Sequence, residues 1–232
     1  PEAIHGRAVI DGGSISLTVL QTRDRALLSG TRGGAEDQSP VFGDELDTTG
    51  NIGRGPGSLL DVSSGTYIDR SGQLGLSNLV PVGRGGDISL STYPRISQQG
   101  AIGIIPAAQN EVGRIIAADG DLREHFSAWG FRDGGTLSLR ALDFQIGGTV
   151  SDGYEGLHLA SDFFSDQGFA EYRLSSAWDA TFAADTVVRV SHRNLLPDYS
   201  GILNAATGDT LLASGIATVG TLDDFRRTGP DL

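Results

Sequence analysis

A double glycine followed by a short strand of alternating apolar and polar residues is written three times in this chain. The copies read DGGSISLTV from Asp11 to Val19, GGDISLST from Gly85 to Thr92 and DGGTLSLRA from Asp133 to Ala141. In a strand, successive side chains point to opposite faces, so a period of two separates a buried face from a wet one. Ile15, Leu17, Ile88, Leu90, Leu137 and Leu139 therefore belong to one face, the core, and the intervening serines, threonines, Asp87 and Arg140 to the other. Glycine at the entry to each strand suits a corner, because it tolerates positive φ and lets one backbone lie close against another.

The spacing of the copies carries the architecture. Ile15 and Ile88 are 73 residues apart, and Ile88 and Leu137 are 49 apart. These separations lie close to three and two units of about 24, within the range of roughly 20–50 that marks stacked repeats. The pattern predicts an all-β fold, a right-handed parallel β-helix with loop and short helical excursions; a β-sandwich is the alternative. Shorter relatives of the motif, LLDVSSG (Leu59–Gly65), QLGLS (Gln73–Ser77) and GLHLAS (Gly156–Ser161), supply further strands.

Composition narrows the chemistry. Cysteine, methionine and lysine are all absent from the 232 residues, so all 17 basic residues are arginine. That removes disulfides, thiolate nucleophiles, Schiff-base lysines and a phosphate-loop lysine. A formal charge of −12 disfavours a nucleic-acid partner, whose backbone attracts a basic surface. No run of 18 apolar residues exists to span a membrane as a helix. With Pro1 first and no methionine, the whole 1–232 range is expected to be a single β-helical segment of a longer chain.

Two stretches interrupt the strand pattern. Residues 29–58 are rich in glycine and acids without apolar periodicity, the mark of a long surface excursion. Residues 107–131 carry helix formers, with Asp119 or Asp121 able to cap a short helix bearing Leu122, His125 and Phe126, so a helical insertion is expected there.

Candidate chemistry is sparse. His5, His125, His158 and His192 stand far apart with no metal-binding spacing, and His158 is expected on the outward face between Leu157 and Leu159. The GRGPG run (Gly53–Gly57) lacks the lysine of a phosphate loop and reads as a turn. Glu36, Asp37, Asp44, Glu45 and Asp47 are hard-oxygen candidates for calcium, although neither a calcium-loop nor a calcium-repeat motif frames them. No catalytic or cofactor-binding residue is nominated. Phe163, Phe164, Phe169 and Tyr172 concentrate aromatics, and a local aromatic core is the simplest reading.

The block 159–201 contains DFFSDQGFAEYRL followed by DTVVRVSHRNLLP. Together with the Gly-Gly-x-[Ile/Leu]-Ser-Leu strands and LLDVSSG, this text resembles the large filamentous-haemagglutinin-type exoproteins of Gram-negative two-partner secretion. The resemblance implies a right-handed parallel β-helix on an exported rod, passed across the outer membrane by a dedicated secretion pore. Freedom from cysteine suits such a cargo, because a disulfide would obstruct an unfolded chain in transit.

The expected function is a structural or adhesive segment of a large secreted filament at a bacterial cell surface, without enzymatic activity. Its expected partners are a surface receptor or glycan and neighbouring coils or copies at both ends. The alternatives are a β-helical polysaccharide-acting enzyme, which would need converging carboxylates, and a calcium-stabilised extracellular binding module. Neither terminus reads as a cap: Ile4, Ala8 and Ile10 alternate like another strand, and the last 20 residues show no amphipathic helix.

Overall fold

Each double-glycine motif enters a six-residue strand, and the three strands lie side by side in one sheet. The computed structural model describes residues 4–5, 11–19, 51–68, 71, 73–92, 113–118, 120–154, 156–176, 179–191, 193–205 and 211–221. The first pass of the chain runs from β1 (Ile4–His5) into β2 (Ser14–Val19). The second comprises β3 (Ile52–Arg54), β4 (Leu60–Asp61), β5 (Tyr67–Ile68), the hairpin β6 (Leu76–Ser77) and β7 (Val80–Pro81), and β8 (Asp87–Thr92). The third holds β9 (Ile115–Ala117), β10 (Phe126–Ser127), β11 (Thr136–Ala141) and β12 (Phe144–Ile146). The fourth holds β13 (Leu157–Leu159), β14 (Glu171–Ser176) and β15 (Ala180–Phe182). A closing unit follows: β16 (Asn194–Pro197), helix α1 (Tyr199–Asn204) and β17 (Ala217–Gly220).

Successive passes pair in parallel. The main sheet has the order β14-β11-β8-β2, with β1 on β5, β3 on β9, β4 on β10 and β12 flanked by β13 and β15, all parallel. Only β6–β7 and β16–β17 are antiparallel among the described strands. The class is all-β, and the repeated strands do not form the antiparallel hairpins of the sandwich alternative.

Register stacks like on like. Ile15, Ile88, Leu137 and Tyr172 form one inward column, and Leu17, Leu90, Leu139 and Leu174 the next. Ile88, Leu90, Leu137 and Leu139 are buried as their alternation requires, each such burial contributing about 1.5–3 kcal/mol. The two predicted core residues of β2 depart from expectation: Ile15 is half-buried and Leu17 is 40% exposed, because β2 is the edge of the sheet. The fourth column member comes from GFAEYRL, which carries no double glycine.

The role of the motif glycines is close approach and not φ. None of the six has a positive φ, which corrects that part of the expectation. An ideal Cβ on Gly12 would lie 1.8 Å from the Val62 carbonyl oxygen, on Gly86 1.9 Å from that of Gly13, and on Gly135 1.6 Å from that of Gly86. Backbone bonds cross at the same place: Gly12 N donates to Arg84 O (2.7 Å), Gly86 N to Val62 O (2.7 Å) and Asp87 N to Gly13 O (3.1 Å).

The excursions resolve in part. Residues 20–50 lie outside the described residues, and the end of the 29–58 stretch enters strand β3. Of the 107–131 stretch, the described helical part is a single 3₁₀ turn, Leu122–His125. Asp121 caps it by accepting from Arg123 N (2.9 Å), and the flanking residues are strands β9 and β10 that stack on β3 and β4. The segment DTVVRVSHRNLLP is not one strand: only Asn194–Pro197 is extended in a sheet, and Val187 and Val190 are exposed. The aromatic reading holds, with Phe163, Phe164 and Phe169 buried and Tyr172 edge-on to all three.

Candidate binding face

The alternation that buries the leucine columns leaves a matching set of polar columns on the outer face of the main sheet. Ser16, Ser89, Ser138 and Arg173 stand in register across four strands, as do Thr18, Ser91, Arg140 and Ser175, of which Ser91 is buried. Parallel strands lie about 4.8 Å apart, so hydroxyls and charges repeat at that interval. Such a surface offers many hydrogen-bonding groups in a regular, shallow array.

One margin of this face is charged. Asp87 Oδ1 accepts from Thr136 N (2.8 Å) on the neighbouring strand and from Arg84 Nη2 (3.2 Å). On β14, Arg173 donates to both carboxylate oxygens of Glu171, through Nε (2.8 Å) and Nη2 (2.9 Å). The hydrogen bond from Arg173 is the main reason the Glu171 carboxyl is held below the usual carboxylate range, and the same bond raises the Arg173 guanidinium. A general acid in a glycosidase is tuned upward instead. The geometry suits contact with a polar polymer through charge-assisted bonds, while exposed pairs of this kind add little to stability.

The calcium candidates Glu36, Asp37, Asp44, Glu45 and Asp47 all lie outside the described residues. Among the described residues no three of His, Asp and Glu converge to hold a metal. His158 faces outward between buried Leu157 and Leu159, its Nε2 3.2 Å from Gly147 O. His192 lies outside the described residues.

His125 is buried, with Nδ1 2.7 Å from Ser58 O. It belongs to a polar cluster that the sequence did not disclose. The GRGPG run is a turn, closed by Ser58 N donating to Gly55 O (3.1 Å), with Gly57 at φ +68°. Beneath it Arg54 is 6% exposed, its Nε reaching Ser58 Oγ (3.3 Å) and its guanidinium 5.9 Å from the centre of the Phe126 ring. Arg54 Nη1 is buried without a hydrogen-bond partner, and burial lowers the guanidinium pKa. No signal in the sequence pointed to this burial, because Arg54 falls in the GRGPG turn at the end of the 29–58 stretch read as a surface excursion.

Elsewhere, burial and then the neighbouring Asp143 carboxylate push the Tyr154 hydroxyl up to about 12. No helix among the described residues is long and apolar enough to cross a membrane. The chain matches no known family, no curated protein and no solved structure.

Proposed function

We propose that this chain is a structural, adhesive segment of a large secreted cell-surface filament, its parallel passes forming part of a right-handed β-helix. The observation that carries the reading is the in-register parallel stack itself. Similar residue types recur from pass to pass, mostly leucine and isoleucine inward and mostly serine outward, and the glycine corner lets one pass seat on the next. That construction extends along one axis by repetition and needs neither a deep core nor a disulfide. The resemblance of the 159–201 block to two-partner-secretion exoproteins, together with the absence of cysteine, supports export through an outer-membrane pore and display at a Gram-negative surface.

On this reading the outer face of the main sheet meets a polar receptor or glycan. The test is an adhesion measurement with the immobilised 232-residue chain against arrayed glycans and whole cells. Binding should fall when Ser16, Ser89 and Ser138 are replaced together by glutamate, with the circular dichroism spectrum preserved. Adhesion indifferent to that triple change, or release of reducing ends from a polysaccharide by the wild-type chain, would sink the reading. An experimental density map fixes the hand of the helix.

A further inference from the structure

We propose that the open edge of β2 is an acceptor for one more parallel strand, supplied by a partner segment of the chain's own Gly-Gly-x-[Ile/Leu]-Ser-Leu type. The inference stands on the corner geometry and does not depend on the adhesive reading.

Three observations point to it. Among the described residues β2 pairs only with β8, and its outward edge carries no strand. The inward leucine column, 0% exposed at Leu90 and 1% at Leu139, runs out at Leu17 with 40% exposed. The corner is the most specific of the three. At the second glycine of each motif, the space a Cβ would take is filled by the carbonyl of the strand on the β2 side: Gly13 O for Gly86 and Gly86 O for Gly135, at 1.9 and 1.6 Å. Gly13 is the same position one strand further on, and nothing lies within 4 Å of its ideal Cβ. The clearance that receives a neighbour elsewhere is present at Gly13, and no described residue fills it.

The first glycine of each motif states what the partner must carry. An ideal Cβ on Gly12 lies 2.3 Å from Gly86 N, on Gly85 3.0 Å from Gly135 N, and on Gly134 2.6 Å from Ala170 N. A strand arriving on β2 in the same geometry directs its own first-position Cβ at Gly13 N, so that position must be glycine. The opposite edge of the sheet does not meet this requirement. There the corner is Phe169–Ala170, with Phe169 buried in the core. A second copy offering its β14 end would bring a phenylalanine where glycine is needed.

The experiment uses the full chain and a fluorescent peptide of Arg84–Thr92, read by anisotropy. Saturable binding is expected. A Gly85→Ala peptide should bind at least about tenfold more weakly, because its methyl strikes β2. A Gly86→Ala peptide should bind like the parent, because that methyl points away from β2. Gly13→Ala in the chain should weaken binding by a similar factor with the spectrum preserved and the melting temperature not lowered. As a second measurement, the same peptide is fused ahead of the chain through a flexible Gly/Ser linker, which raises its effective concentration to about millimolar. Amide exchange in β2 should then slow. The proposal is overturned if the free peptide does not bind and the fused one gives no protection. It is equally overturned by binding indifferent to Gly85→Ala or to Gly13→Ala, or by self-association that excludes the peptide.

Discussion

Replacing Gly86 by alanine tests the central physical claim, that the motif glycines exist to let two backbones touch. The added Cβ would lie 1.9 Å from Gly13 O, and ordinary contact begins at 3.4 Å, so the strands must part by about 1.5 Å at the corner. Two bonds join the strands there: Gly12 N to Arg84 O at 2.7 Å and Asp87 N to Gly13 O at 3.1 Å. Lengthened by that amount they leave hydrogen-bonding range. At about 1 kcal/mol net for each, the loss comes to about 2 kcal/mol. For a chain of this size that is a fall in Tm of roughly 4–8 °C. The matched control is Gly13→Ala, where the same methyl enters open space and φ is not positive. There the reduced freedom of the unfolded chain should stabilise by up to about 1 kcal/mol. Urea titration followed by circular dichroism measures both. Equal effects from the two substitutions, or a Gly86→Ala loss below about 0.5 kcal/mol, the noise of an ordinary surface change, would refute the reasoning.

The same edge logic applies to the leucines: Leu139→Ala, at 1% exposed, should cost about 2–5 kcal/mol, and Leu17→Ala, in the same column but 40% exposed, well under half of that, by urea titration. Arg54→Met should leave the urea midpoint unchanged or raise it, since it removes a buried cation that has no carboxylate partner among the described residues. Arg54→Lys should lower it, because a compact ammonium neither lies over Phe126 nor reaches Ser58 as a planar guanidinium does. Tyr154 titrates at about 12 in the folded chain against 10 ordinarily, so its contribution is present below pH 10 and is lost as pH rises towards 12. Ultraviolet tyrosinate absorbance should show the late titration, and Tyr154→Phe should flatten the loss of stability across that window.

Alternation was legible in the sequence because it is local. Which residues of Asp11–Val19, Gly85–Thr92 and Asp133–Ala141 face inward follows from a period of two, and the sheet realises it. The aromatic block was legible for the same reason, since Phe163, Phe164, Phe169 and Tyr172 lie within ten positions of one another. What tertiary structure alone decided involves partners far away along the chain. The motif glycines read as corners needing positive φ, close approach or both, and only the fold shows that it is close approach alone, since the atom that excludes a Cβ at Gly86 belongs to Gly13, one pass earlier. GFAEYRL joins the sheet as its fourth strand without a double glycine, because Gly134 on the preceding pass already provides the clearance on that side. Leu17 and Leu90 read identically, and only the order of strands makes one an edge residue and the other core. Arg54 looks like a surface arginine in a glycine turn; the 3₁₀ turn and β10, brought over it from more than 60 residues away, bury it. A strand's faces are set by its own sequence, whereas burial and contact are set by whichever pass the fold lays beside it.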